Sequence, residues 1–146
     1  MLRACSQALF LFPGSFFLFQ LELSDSVLND RILEEFWEGK DEKKAVKDFT
    51  FHIVKNTLDH IRDIDDLIQK SAQNWSMARM AIIDRSILRT ATYELAYRSD
   101  IPTSVTINEA LEIAKKYSTI DSAPFINGIL DKVAHTVSAA AAQKKQ

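Results

Sequence analysis

The sequence predicts an all-helical fold, and three observations carry that expectation. Glycine is scarce, at positions 14, 39 and 128 only, and proline equally so, at 13, 102 and 124; a sandwich or barrel needs many more tight turns. Apolar residues return every three to four positions over most of the chain, the period of a half-buried helix. At 146 residues the chain has the length of one domain, large enough to bury a core without disulfides or metals.

The elements follow in order. The uncharged run from Ala8 to Leu21 is short of the roughly 20 residues a membrane span needs, and Pro13-Gly14 interrupts it. Arg3 ahead of this run imitates a secretion signal, but no small-x-small cleavage site precedes "LELSDS". A buried helix accounts for it better: Ser15 reads as the cap, and Phe16, Phe17, Leu18, Phe19, Leu21 and Leu23 are apolar on all sides. "DRILEEFWE" reads as a short helix and "GKDEKK" as an exposed connection. A longer helix follows, with Val46, Phe49, Ile53 and Thr57 on one stripe, and Asp63 with Asp66 marks a new helix start near Asp63.

From Met77 to Arg98 the stripe Met80, Ile83, Ile87, Ala91, Leu95 is the strongest in the chain. Asp84 and Glu94 intrude on it. A buried carboxylate is costly unless paired, so Glu94 is expected to pair with Arg98 at i,i+4, and Asp84 to need a tertiary partner. "VTINEALEIAKKY" opens the next helix with an apparent capping box of Thr106 and Glu109, its inward face being Ile107, Ala110, Leu111 and Ala114. The last helix starts at Asp121 or Ser122, tolerates Pro124 in its first turn, and buries Ile126, Ile129, Leu130, Val133 and Val137. Residues 1–15 thus read as an atypical apolar segment, 16–137 as the folded domain and 138–146 as a frayed polar tail.

Composition excludes several function classes. A lone Cys5 makes neither an internal disulfide nor a multi-cysteine zinc site, which fits a reducing cytoplasm. His52, His60 and His135 lack the i,i+4 spacing of a metal-binding helix pair, and three isolated glycines make no phosphate loop or dinucleotide fingerprint. No catalytic residue, metal or cofactor is therefore expected. Charge is uneven: residues 25–78 hold twelve acids and eight Lys or Arg, whereas 79–146 hold seven acids and nine, so an anionic partner should prefer the C-terminal half.

That half holds the most informative constellation, "DSAPFINGILDK" from Asp121 to Lys132. Phe125 lies off the core stripe and shares a side with Gly128 and Lys132. Glycine inside a helix costs up to about 1 kcal/mol relative to alanine, so close approach of something to the backbone at Gly128 would explain it. A base stacked on Phe125 with Lys132 at a phosphate uses these features; equally, Phe125 edges the core and Gly128 admits a neighbouring helix. Arg85 and Arg89, one turn apart opposite the stripe, read as a solvated face as well as a ligand site.

The segments "NWSMARMAIIDRSILRTATYELAYRSDIP" and "INEALEIAKKYSTIDSAPFINGILDKV" resemble the NusB family of bacterial transcription antitermination factors, with "IDRSILR", "YEL", "INEA", "AKKY" and "FINGILDK" in the family's order from about Phe16 to Val137. The resemblance implies a compact all-α fold of two small bundles, about six to seven helices, without enzymatic activity. It implies binding of the boxA element of ribosomal RNA leader transcripts together with ribosomal protein NusE, and through them an indirect association with RNA polymerase and other Nus factors. By position, Asp121, Phe125 and Asn127 match the family's segment near RNA, with Gly128 and Lys132 on the adjoining face; the NusE contact is expected between Arg79 and Arg98, including Arg79, Arg85 and Glu94. The resemblance departs at the N-terminus. The family carries an arginine-rich arm there, and this chain carries "MLRACSQALFLFPGS" with a single Arg3; an altered arm, an insertion at "LFPGSFFLFQ", a frameshift or a misplaced start each accounts for it. Fewer phosphate contacts mean weaker, less salt-dependent RNA binding, so the alternative function is a NusE-binding scaffold with RNA binding reduced or lost.

Overall fold

Helices form along the sequence stripes, and their ends fall where tertiary partners overrule the local signals. The computed structural model describes residues 4–144, with side chains from Pro13 onward; Arg3 lies outside the described residues. Among these, seven α-helices run in the order α1 Ala4–Leu23, α2 Asp30–Trp37, α3 Lys44–Asp59, α4 Ile61–Ser71, α5 Ile82–Tyr97, α6 Thr103–Tyr117 and α7 Ser122–Lys144, with a 3₁₀ turn at Met77–Arg79 before α5.

Two apolar clusters organise them. In the smaller one Phe17 and Leu21 of α1 meet Phe36 of α2 and Val54 of α3, with the Phe17 and Phe36 rings edge-on at 4.5 Å. In the larger, Ile53 joins residues of α4 to α7, among them Ile64, Ile68, Ile87, Ala91, Ile107, Ala110, Ile126, Leu130 and Val133. Helix α5 packs against α1 and α3 as well as α4, α6 and α7. Burial therefore wraps around it: Leu88 and Tyr93 are as enclosed as Ile87 and Ala91, whereas Ile83 and Leu95 of the expected stripe are only half-buried. α2 is capped by Asn29, whose side chain accepts from the Ile32 N–H, and Gly39 supplies the left-handed residue (φ 74°) that ends it.

Four expectations need correction. Ser15 does not cap α1: the helix passes through Pro13, and the buried Ser15 hydroxyl shares a 2.7 Å hydrogen bond with Thr90 of α5, so it is satisfied across helices. The break between α3 and α4 falls at His60, leaving Asp63 in the first turn of α4, where its charge still meets the helix dipole. Helix α6 starts at Thr103 behind Pro102, so Thr106 is interior and buried; its hydroxyl serves Glu94 in place of a capping box. The tail expected at 138–146 continues α7 as far as Lys144, in keeping with the alanine run at 139–142, alanine being the strongest of helix formers.

Candidate nucleic-acid interface

The C-terminal constellation is positioned by a buried carboxylate. Asp84, in the first turn of α5 and 7% exposed, accepts from Ser118 Oγ at 2.6 Å and from Ser122 Oγ at 2.9 Å. Ser122 is the first residue of α7, and its hydroxyl also bonds those of Ser118 and Thr119. This is the tertiary partnership that Asp84 required. It fixes where α7 begins, and hence where Asp121, Phe125, Asn127, Gly128 and Lys132 stand.

Helix α7 is two-sided. Ile126, Ile129, Leu130 and Val133 are buried, while Asp121, Gly128 and Lys132 are exposed and Phe125 and Asn127 are half-buried. A Cβ added at Gly128 would meet no atom within 4 Å; no neighbouring helix approaches it, which removes the packing explanation for this glycine and leaves the backbone open to solvent. Phe125 does pack on the edge of the larger cluster, and its other contact is Trp75, whose ring centroid lies 6.0 Å away at 75°.

Trp75 sits on the short connection between α4 and the 3₁₀ turn and is 55% exposed, unusual for a large aromatic. The connection is braced by one side chain. Gln69 donates to the carbonyls of Trp75 (2.7 Å) and Ala72 (3.2 Å) and accepts from the Met77 N–H at 3.1 Å. The Trp75–Phe125 pair forms a wall with a hollow on each side. One hollow, about 240 Å³, has Asn74, Gly128 and Lys132 in its lining; the other, about 310 Å³, has Arg79, Asp121 and Ser122. The structure thus brings Phe125, Gly128 and Lys132 together, and places Arg79 beside Asp121. Sequence reading passed over Trp75 and Gln69, although an aromatic in the polar stretch "SAQNWS" with no stripe to join was a usable signal.

The other two residues assigned to a partner face are internal. Arg85 pairs with Glu22 of α1 and donates to the Met77 carbonyl at 2.7 Å. Arg89 grips Asp65 of α4 through two 2.9 Å hydrogen bonds and reaches Glu22 at 3.4 Å. With their side chains 12% and 17% exposed, these arginines are a latch joining α1, α4 and α5, and the solvated-face reading of them is withdrawn. Glu94 is 3% exposed and does not pair with Arg98, which holds Asp100 instead at 2.9 Å. Its Oε2 accepts from Thr106 Oγ1 at 2.9 Å, and Oε1 has no partner. Burial pushes this carboxyl up to about 7, opposed by the Thr106 hydrogen bond and Arg98 and reinforced by Asp100 and Glu109. Among the described residues no group of three or more metal-ligating side chains occurs, and no helix is long and apolar enough to cross a membrane.

Comparison with known proteins bears on these features. The model of the NusB family matches residues 16–135. A transcription antitermination protein NusB from Thermodesulfovibrio yellowstonii is 52% identical over 104 residues, 70% of this chain and 69% of that protein; one from Geobacter sp. (strain M21) is 45% identical over 124 residues, 78% and 86% of the two chains. The structure of T. maritima NusB superposes with a TM-score of 0.79 at 38% identity, covering 88% of this chain and 89% of that one. A crystal structure of antitermination factors NusB and NusE in complex with dsRNA shares the fold, with a TM-score of 0.78 at 24% identity over 93% and 99% of the chains.

Proposed function

Because the chain belongs to the NusB family, we propose that it acts in the bacterial cytoplasm as a non-enzymatic transcription antitermination factor, binding boxA RNA together with NusE and through them associating indirectly with RNA polymerase and other Nus factors. The observation that carries the RNA-binding reading is the outer side of α7: a half-buried aromatic, Phe125, one turn from a glycine whose backbone nothing covers, with Lys132 exposed one turn further on. An aromatic face stacks any unpaired base, and an adjacent ammonium takes its phosphate. Asp121 is acceptor-only and suits the amino edge of a base; Asn127, half-buried, offers both a donor and an acceptor. Arg3 belongs to the same reading as the single cation of the N-terminal segment.

NusE docks, on this reading, along the surface built around α5. Arg85 and Glu94 shape that surface from within, through the latch to α1 and the bond to Thr106, and Arg79 borders it.

Fluorescence anisotropy of a labelled boxA RNA against a scrambled RNA, with and without NusE and at two salt concentrations, tests the proposal. Specific, salt-sensitive binding strengthened by NusE supports it. Phe125→Ala should weaken that binding by about 1 to 3 kcal/mol, the size of one lost base stack; unchanged affinity removes Phe125 from the site. NusE binding without any RNA shift instead identifies the scaffold, a reading favoured by the commitment of Arg85 and Arg89 to internal carboxylates.

A further inference from the structure

We propose that Trp75 is a second base-stacking residue, and that the RNA strand crosses the Trp75–Phe125 wall with one unpaired base in the hollow on each side, Lys132 and Arg79 meeting phosphates at its two ends. The inference rests on the RNA-binding reading and extends it from a single plate on α7 to a site built by two separate parts of the fold.

Four features carry it. Trp75 is 55% exposed, and among the described residues its indole N–H makes no hydrogen bond, so the packing of the fold leaves most of it unused. The connection that bears it is held by three hydrogen bonds to the Gln69 side chain, two donated by it and one accepted, which keeps an exposed ring in one place; a stacking surface fixed in advance loses less entropy when a ligand arrives. The ring stands edge-to-face with Phe125, so no base inserts between the two, and each ring closes one side of both hollows. Each hollow has one cation in its lining, Lys132 in one and, in the other, Arg79 together with the carboxylates of Asp84 and Asp121; a cation at each end of the wall gives a crossing strand a phosphate contact on both sides, and the carboxylates beside Arg79 can accept from the amino edge of a base. Apolar groups (Ala72 and Ile129 in one hollow, Met80 and Ala81 in the other) line the hollows beside polar ones such as Asn74 and Thr119, a mixed lining that takes the flat face of a base together with its polar edge.

The test uses the full chain with NusE and a fluorescein-labelled boxA RNA. Trp75→Ala should weaken binding about 5- to 150-fold, the loss of one base stack, and Trp75→Phe should recover all but about threefold. Arg79→Ala should flatten the dependence of log affinity on log salt by about 0.7, one single-strand phosphate contact. The chain has two tryptophans, Trp37 and Trp75; RNA should quench the wild-type emission and leave that of Trp75→Phe unchanged, a readout that does not depend on the alanine variant folding. Wild-type affinity in Trp75→Ala alongside loss in Phe125→Ala overturns this inference and leaves the RNA-binding reading standing. Wild-type affinity in both variants, or a wild-type protein that does not separate boxA from scrambled RNA, overturns both. A Trp75→Ala defect that appears only as weaker NusE binding, with affinity for RNA alone intact, assigns the wall to protein and overturns the inference.

Discussion

Replacing Glu94 with glutamine isolates one buried carboxyl and turns its environment into a measurable pH dependence. In the unfolded chain this group releases its proton near the ordinary 4.5, and in the folded protein near 7. Between those values the native state keeps a proton that the unfolded state has lost, so the contribution to stability is full below about pH 4.5 and drains away as pH rises through 7. A separation of roughly 2.5 pH units at 1.36 kcal/mol each makes the loss about 3 kcal/mol. Glutamine keeps an oxygen to accept from Thr106 and has no charge to bury. The variant should therefore match the wild type near pH 4.5 and exceed it by about 3 kcal/mol at pH 8. Urea denaturation of both proteins at pH 4.5, 6 and 8 measures the difference. Other groups move stability too: burial raises Glu109, in the same direction as Glu94, and the hydrogen bond from Arg98 lowers Asp100, in the opposite direction. They are common to both proteins, so the subtraction removes all of their effect except the part that comes from their coupling to Glu94 itself. A difference that stays constant across this range refutes the reasoning, because it would mean that Glu94 titrates alike in the folded and unfolded chains.

Two further substitutions separate folding from binding. Gly128→Ala removes a flexible residue from a helix interior where the added methyl meets nothing; thermal unfolding should show a gain of about 1 kcal/mol, while boxA anisotropy shows binding weakened at least about threefold, as a base seated on the bare backbone requires. Asp84→Ala strips two hydroxyls of a charged acceptor and should destabilise by about 3 kcal/mol; a loss under about 1 kcal/mol in urea would show that Asp84 does not hold the start of α7.

The helices that were legible in the sequence are those whose burial is one-sided. α2 and α7 present a single stripe to the core, and the exposed "GKDEKK" and the Asp121–Ser122 start mark helix ends. For α5 the expected stripe captured only part of the burial, because five other helices pack on it and periodicity cannot report a helix covered on opposite sides. The caps predicted at Ser15 and Thr106 failed for a common reason: a hydroxyl that suits a helix start also suits a buried partner on another helix, Thr90 in one case and Glu94 in the other, and sequence spacing does not tell these apart. The candidate site was half legible. Phe125, Gly128 and Lys132 share one helix and so one period, whereas Trp75 and Arg79 reach the same place from about fifty residues upstream. Only the fold brings them there.

The division of α7 into alternating buried and open positions also makes it a natural frame for directed evolution. Residues 128 and 132 can be randomised freely and 125 among large apolar side chains, since Phe125 also packs on the core edge, while 126, 129, 130 and 133 hold the helix in register, so such a library samples new RNA preferences with little risk of sampling unfolded chains. The Asp84 anchor then acts as a fixed origin, and any shift in preference selected from such a library reports on side-chain chemistry at those three positions, because the helix carrying them has not moved.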